Sequence, residues 1–302
     1  MEKITEQIKA KYHLQEQDPK SYLEGFLHTK PVNYWDYIEV ETLLSLQKPR
    51  TYFADETVFI MYHQITELVL KLMIHELKQI TNPVLEDAAE ISLKLGRLMR
   101  YTNLLTNSFG IMNQGMKYED YNQFRLSLAP ASGFQSAQFR IIEIYCTDLF
   151  NLIPQSRKKM VTKEISTADK FQLIYWQDAG YDRKTGKKSM TLLQFEEKYM
   201  KEFILLADEM KDKNLFYKFN YMVEQKLMTP ELEKAFRDFD IKFNIQWPMV
   251  HLNTAHTYLG KGQSEKAATG GSHWEKYLHP KYQQRIFFPT AFTKEEIEHW
   301  GE

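Results

Sequence analysis

The sequence predicts an all-α protein, because glycine and proline are sparse, helical periodicity is long-ranged and no alternating strand pattern is present. The 302 residues include 12 Gly and 10 Pro. Apolar residues recur at intervals of three and four, which is the period of an amphipathic helix. No segment alternates polar and apolar residues between hairpin dipeptides. We therefore expect a single helical domain over 1–302, with an N-terminal segment at 1–33 and a variable helical excursion at about 158–228.

The first predicted helix spans 36–47, with apolar residues near one face, and ends before Pro49. The second, 56–80, is apolar on nearly every side, which is typical of a central helix. Further helices are predicted from about 85 onward, at 119–128, at 134–152 and at 191–211.

A last long helix is predicted from Thr229 to Leu259. Thr229 is a good N-cap and Pro230 a good first helical residue. Pro248 interrupts this helix, because proline lacks the backbone N–H, and should bend it just before His251. The composition turns polar between 158 and 190, where DAGYDRKTGKKS (178–189) should form an exposed loop or excursion. The Gly-rich, polar segment 260–272 should form a loop.

Composition excludes several classes of function. The net charge is −1, from 39 basic and 40 acidic residues, so we expect no nucleic-acid or membrane partner. The single cysteine, Cys146, excludes an internal disulfide and a cysteine zinc cage, and it fits a reducing, cytoplasmic compartment. The N-terminus lacks the apolar core of a signal peptide, and no apolar run approaches the roughly 20 residues that span a bilayer.

His251 lies among apolar residues in WPMVHLNTAHTYLG, and its spacing alone favours a hydrogen-bonded core histidine. His63 and His75, within the second helix, receive the same interpretation. No HExxH motif or Cys/His cluster with zinc spacing is present.

Arg125 has two interpretations. It is either a surface residue paired with Glu119 or Asp120, or a clamp whose two parallel donors hold a carboxylate. Tyr121, one helical turn earlier, lies on the same face and has a hydroxyl for the same anion. Ser132 is more typical of a helix cap than of a ligand contact.

Five segments recur in a characteristic order. They are YWDYIEVETLLSLQKP (34–49), ADETVFIMYHQITELVLKLMIHEL (54–77), FRLSLAPASGFQSAQFRIIE (124–143), HLNTAHTYLG (251–260) with ATGGS (268–272), and FFP (287–289). In this order they resemble the tryptophan 2,3-dioxygenase family. The most specific, FRLSLAPASGFQSAQFRIIE, is similar to the family's FRxxLxPxSGFQSxQYRxIE.

The resemblance implies a helical fold that binds haem b, with His251 as the axial ligand of the iron and dioxygen as co-substrate. It implies that Arg125 clamps the carboxylate of an indole amino acid, with Tyr121 and Thr269 as neighbouring donors. Ser132 would lie near the distal face of the haem. The resemblance further implies a homotetramer, in which N-terminal residues reach into a neighbouring subunit.

The chain departs from the family pattern at the distal position, where Ala54 replaces a histidine that accepts from the indole N–H. Thr257 replaces an arginine, the 260–269 connection is longer, and Pro248 is additional. One hydrogen bond to a neutral group contributes about 0.5–1.5 kcal/mol, so Ala54 affects the choice of substrate more than the reaction class.

We therefore expect a haem dioxygenase that opens the indole ring of L-tryptophan or a close analogue to an N-formylkynurenine-type product. The alternatives are a haem monooxygenase or rearranging enzyme on a substituted indole amino acid, a haem or indole sensor without turnover, and a helical scaffold without cofactor.

Overall fold

The computed structural model describes residues 2–128, 133–162, 164–182, 185–259 and 278–302, and it confirms the all-α prediction. The chain divides into two compact units, Met1–Lys48 and Pro49–Glu302.

The first unit contains four short helices: α1 (Glu2–His13), α2 (Pro19–His28), α3 (Tyr34–Tyr37) and α4 (Val40–Leu44). The prediction of one helix over 36–47 is wrong, because Glu39 adopts a left-handed conformation with φ of 53° and separates α3 from α4. Helices this short depend on packing for their stability. Here that packing is missing, since Ile38, Leu43 and Leu44 are exposed.

The second unit holds the remaining helices and one small hairpin. The helices are α5 (Ala54–Ile80), α6 (Ala88–Gly115), α7 (Tyr118–Phe124), α8 (Ala137–Cys146), α9 (Thr167–Leu173), α10 (Met190–Met210), α11 (Leu215–Glu224), α12 (Pro230–Ile241), α13 (Trp247–Leu259), α14 (Pro280–Gln283) and α15 (Lys294–Glu298). Short 3-10 turns follow α7 and precede α8, at Arg125–Leu128 and Gly133–Gln135.

Helices α5 and α6 form the centre of this unit. Helix α5 packs against α6 and α8, and α6 also packs against α12 and α13. The predicted central position of α5 holds for one side only, because Met61, Ile65, Leu68 and Leu72 form an exposed apolar stripe. By length and composition α5 is the one described helix that passes a test for a membrane span. It nevertheless buries nine residues, as a core helix of a bundle does.

The break before His251 is a π-helical turn, Lys242–Gln246, between α12 and α13. Thr229 caps α12 as predicted, because its side chain accepts from the backbone N–H of Leu232. Pro248 has no N–H to donate to the carbonyl four residues earlier, and the wider turn accommodates this gap. The predicted interruption is thus confirmed.

The segment predicted as an exposed loop or excursion, 178–189, begins inside a buried turn. Residues Tyr175–Gly180 form a buried 3-10 turn, and β1 (Tyr181–Asp182) pairs antiparallel with β2 (Lys187–Lys188). Gly180 is required here, because a Cβ at this position would lie 2.5 Å from the Cβ of Leu192.

Six side chains form what we call the buried polar cluster: Arg140, Glu143, Tyr175, Asp240, Asn244 and Arg285. Glu143 accepts hydrogen bonds from Arg140 Nη1 at 2.9 Å and Arg285 Nη1 at 3.2 Å. It also accepts from the hydroxyl of Tyr175. Two arginines on separate elements thus share one buried carboxylate.

Asp240 extends this cluster to the C-terminal segment. Its carboxylate accepts from the backbone N–H groups of Phe287 and Phe288, each at 2.9 Å, and from Asn244 Nδ2 at 2.5 Å. Arg285 Nε donates to the side-chain oxygen of Asn244. Burial raises the pKa of Asp240 to about 6. The cluster therefore fastens residues 285–288 to α12 and the π-helical turn.

Candidate functional site

His251 lies in the second turn of α13, and its side chain is exposed to solvent. It is surrounded by enough protein that desolvation lowers its pKa to about 4, with a smaller contribution from His63. An imidazole that is accessible and yet desolvated lies in a recess of the protein surface, which we call the His251 cavity. At neutral pH this imidazole is uncharged and can act as a metal ligand.

Aromatic rings from α5 and α6 form the wall beside His251. Phe109 stacks on the imidazole, with ring centroids 5.3 Å apart. Tyr62 packs against Phe109 at 5.6 Å and against His63 at 5.4 Å. Buried rings of this kind have few rotamers and hold the imidazole in one orientation.

His63 is a site residue that sequence reasoning missed. The predicted core histidine is exposed, and its ring packs at 4.1 Å against Phe59. Its Nδ1 lies 2.8 Å from the carbonyl oxygen of Phe59. Desolvation lowers the pKa of His63 despite that hydrogen bond. The available sequence signal was that His63 lies within the 54–77 motif. Whether a histidine of α5 faces the His251 cavity depends on tertiary packing, which the motif does not give.

Tyr121 connects α7 to the helix of His251. Its ring lies 4.7 Å from Tyr258 and 6.1 Å from Phe59, and it packs against Leu252. Leu252 is the immediate neighbour of His251 in the sequence. The structure thus brings Tyr121 and His251 to the same region of the molecule.

Arg125 follows directly after α7, and its backbone N–H donates to the carbonyl of Tyr121. Its side chain is only 9% exposed, so the interpretation as a surface residue is wrong. A buried guanidinium is costly unless anions or acceptors surround it. This position is compatible with a carboxylate clamp.

Tyr258 is a second residue that the sequence did not reveal. Its hydroxyl donates to the carbonyl oxygens of Met112 and of Met116, the latter at 3.1 Å. These bonds hold the end of α13 against the end of α6. The rings of Tyr258 and Tyr118 also stack, at 6.4 Å.

Ala54 is the first residue of α5 and is exposed. The neighbouring Asp55 accepts from the backbone N–H of Lys117 at 2.7 Å, just before α7 begins. Glu56 accepts from the backbone N–H groups of Arg50 at 2.8 Å and Thr51 at 2.7 Å. Burial would raise the pKa of Glu56, but these bonds and that from the Thr51 hydroxyl lower it overall. Ala54 is therefore held beside the start of α7.

Ser132 and Thr269 lie outside the described residues. The cap of α8 is Ser136, whose hydroxyl accepts from the backbone N–H of Phe139 at 3.3 Å. Among the described residues, no three His, Cys, Asp or Glu side chains come together as a cluster that could hold a bare metal ion.

Fold and site together define a helical protein with an accessible, neutral imidazole in an aromatic-walled cavity. This arrangement suits a planar ligand or cofactor.

Comparison with known proteins gives the family. The family model described as tryptophan 2,3-dioxygenase matches residues 26–236, which include Tyr121 and Arg125 but end before His251. The tryptophan 2,3-dioxygenase of Geobacillus thermodenitrificans is 28% identical over 292 residues, covering 90% of this chain and 95% of that protein. That of an Arthrobacter species is 29% identical over 276 residues, covering 87% and 90%. The chain belongs to the tryptophan 2,3-dioxygenase family and is an enzyme of that family.

Proposed function

We propose that the protein is a haem-dependent dioxygenase that opens the indole ring of L-tryptophan or a close analogue. Both atoms of one dioxygen molecule would be added at C2 and C3 of the indole, and the bond between these carbons would break. The product would carry an N-formyl group and a ketone, as N-formylkynurenine does. The observation that carries the proposal is the accessible, neutral imidazole of His251 in its aromatic cavity.

The residues present fit a haem. No described residue donates to or accepts from the imidazole of His251, so a ring nitrogen is available to iron. The rings of Phe109 and Tyr62 offer flat apolar surface beside it. When bound, ferrous haem would supply the binding and activation of dioxygen.

Arg125 and Tyr121 would hold the amino-acid end of the substrate. The guanidinium offers two parallel donors to the carboxylate, and the Tyr121 hydroxyl offers a third. Because Arg125 is buried, its charge is poorly solvated, and a bound carboxylate would stabilise it. Thr269 would add a further donor, and Ser132 would lie near the distal side.

Ala54 would line the indole pocket. Its methyl group cannot accept from the indole N–H, so orientation of the ring would depend on packing and on the carboxylate clamp. The missing imidazole also leaves space for a substituent. Ala54 thus favours a second candidate function, a haem monooxygenase or rearranging enzyme that acts on a substituted indole amino acid.

The test compares haem uptake and turnover in the wild type, His251→Ala and His256→Ala. His256 is a matched control, because it is exposed on another face of the same helix. We expect the wild type and His256→Ala to bind haem and convert tryptophan, and His251→Ala to do neither. Equal haem binding by all three proteins would contradict the assignment of His251.

We further propose a cytoplasmic homo-oligomer, a tetramer, in which the first unit contacts a neighbouring copy. In that unit Phe26, Leu27 and Tyr37 are 70%, 81% and 79% exposed, which is unfavourable for apolar residues in a monomer. The sole cysteine, Cys146, is a buried free thiol, as a reducing compartment permits. Light scattering behind size exclusion would give the mass of four chains, whereas a monomer mass would refute the oligomer.

A further inference from the structure

A groove lies between α5, α8 and α10, which we call the lysine groove. Its volume is about 780 Å³, a size typical of small-molecule sites. None of the residues assigned above to haem or substrate lines it. The lysine groove is therefore a second concave region of the enzyme, separate from the His251 cavity.

The floor of the lysine groove is aliphatic. It is formed by Ile74 of α5, Ile141 of α8, and Leu205 and Leu206 of α10. The part of α10 that lines the groove extends from Lys198 to Glu209, a length of about 16 Å by the helical rise. A long aliphatic floor suits an extended hydrocarbon chain better than a compact polar ligand.

Helices α8 and α10 run in the same direction along the groove. Gln135, just before α8, donates from Nε2 to the backbone carbonyl of Thr191 at 3.2 Å, so the two helices begin side by side. The first lining residues of these helices are Gln138 and Lys198. Both therefore lie at the same end of the groove.

Three lysines share that end. Gln138 Nε2 donates to the backbone carbonyl of Glu67 at 2.7 Å and to its carboxylate at 2.9 Å. Glu67 lies one turn before Lys71 on α5, so Lys71 is also at the Gln138 end. Lys201 follows Lys198 by one turn of α10. The lysine groove thus has a cationic end.

The charge at this end is not compensated by ion pairs. Among the described residues, neither these three lysines nor Lys78, which also lines the groove, forms a salt bridge. Two glutamates line it, Glu202 and Glu209, so four positive charges face two negative ones. Like charges one helical turn apart are destabilising, and a bound anion would relieve that repulsion.

Size and charge favour a small anionic ligand over a macromolecule. A stable protein interface buries about 800 Å² on each partner, more than a groove with a floor about 16 Å long offers. A second copy of this chain in a two-fold contact would place the same lysines against each other. The remaining occupant has one anionic head and an apolar chain.

We propose that the lysine groove binds a medium-chain fatty-acid carboxylate. The carboxylate lies between Lys71, Lys198 and Lys201, and the chain covers the aliphatic floor. This site is independent of the haem function proposed above, because it shares no residue with the His251 cavity.

The first test is calorimetric titration of the haem-loaded protein with octanoate, decanoate and dodecanoate, below their micelle concentrations. We expect each added CH₂ to tighten binding about two- to fourfold, since every buried CH₂ adds apolar contact. Decyltrimethylammonium has the same chain and the opposite charge and should not compete. Affinity independent of chain length, or equal binding of the cation, would overturn the proposal.

The second test changes the head-group end. Lys71→Gln/Lys201→Gln should weaken decanoate binding at least about tenfold, because two charge-assisted contacts are lost. Lys211→Gln/Lys213→Gln is the matched control, since it removes two exposed lysines that do not line the groove. The control should bind decanoate as the wild type does. Equal affinities of the two double variants would overturn the proposal.

The third test changes the floor. Leu205 is 63% exposed, so Leu205→Asn should fold normally and reduce the dependence of affinity on chain length. Leu193→Asn is the control, because Leu193 is an exposed leucine of the same helix outside the groove. An unchanged dependence in Leu205→Asn would overturn the proposed position of the chain.

Two readouts identify other occupants. Decanoate should leave the haem absorption spectrum unchanged, and a spectral change that persists in Lys71→Gln/Lys201→Gln would place the ligand in the His251 cavity and overturn the proposal. Light scattering should give this variant the same mass as the wild type. A smaller mass would show that the groove is a contact between copies and would also overturn it.

Discussion

The cavity around His251 and the buried polar cluster both contain ionisable side chains of the second unit. The two regions differ in the hydrogen-bond partners that these side chains have. In the cluster, one carboxylate, Glu143, accepts from two arginines and a tyrosine. In the cavity, the imidazole of His251 contacts aromatic carbon and has no hydrogen-bond partner among the described residues.

This difference suggests different roles for the two regions, stability for the cluster and chemistry for the cavity. A carboxylate that accepts from three side chains is held rigidly and is not available to a ligand. An imidazole without partners contributes little to folding, but it is available to a metal. The cluster should therefore act through the free energy of unfolding, and the cavity through binding and turnover.

The largest expected effect is on the cluster side. Glu143→Ala leaves Arg140 and Arg285 without their shared carboxylate, and breaking such a buried pair costs about 3–5 kcal/mol. Urea unfolding of the haem-free protein measures this loss. Glu202→Ala, on an exposed face of α10, is the control and should change stability by about 0.5 kcal/mol or less. Equal effects would show that the cluster is not a stabilising element.

On the cavity side, Arg125→Leu should raise the KM for tryptophan about tenfold to a hundredfold, because a charge-assisted hydrogen bond contributes about 1.5–3 kcal/mol. Arg125→Lys keeps the charge but loses the paired donors, so its KM for tryptophan should lie between those of the wild type and Arg125→Leu. Arg100→Leu, at an exposed position of α6, controls for lost charge. An Arg125→Leu protein with unchanged KM would exclude the clamp.

A smaller effect is expected at Ala54. The wild type should accept 1-methyltryptophan nearly as well as tryptophan, because the methyl group of Ala54 cannot accept a hydrogen bond from the indole N–H. Ala54→His should shift the ratio of kcat/KM values towards unsubstituted tryptophan by about tenfold or less. A wild type that strongly prefers tryptophan over the 1-methyl form would contradict the proposed position of Ala54.

A further effect is on the pH dependence of stability, and its sign differs between the two regions. The pKa of His251, about 4, lies below the ordinary 6.5, so its contribution to stability falls as the pH decreases from 6.5 to 4. The pKa of Asp240, about 6, lies above the ordinary 3.8, so its contribution rises as the pH decreases from 6 to 3.8.

His251→Phe should therefore retain more stability at low pH than the wild type, and Asp240→Asn should retain less. Urea midpoints of the haem-free proteins at several pH values between 4 and 7 test this. If the slope of the urea midpoint against pH changed in the same direction in both variants, the predicted difference between the two regions would be wrong.

Local signals in the sequence were sufficient for the long helices and for the break before His251. Apolar periodicity located α5, and Thr229 with Pro230 located the start of α12. Pro248 indicated an interruption, although the π-helical form it takes depends on the packing of both neighbouring helices. The prediction of one helix over 36–47 was wrong because the apolar residues of this segment are exposed and do not stabilise a continuous helix by packing within the first unit.

The site was harder to predict. The family motifs supplied Arg125 and His251, which lie within recognisable segments, and Tyr121 lies one helical turn before Arg125. They did not distinguish His63 from a core histidine, because its exposure depends on how α5 packs against the neighbouring helices. Tyr258 acts through backbone carbonyls of a distant helix, for which its own sequence gives no signal.

The most direct test is mass spectrometry of the products formed from L-tryptophan and labelled dioxygen by the haem-loaded, reduced protein. The proposed function predicts N-formylkynurenine that contains two labelled oxygen atoms, with no such product from His251→Ala. A product with one labelled atom would contradict the dioxygenase and favour monooxygenation. No product from tryptophan, despite a normal ferrous haem spectrum, would contradict tryptophan as the substrate.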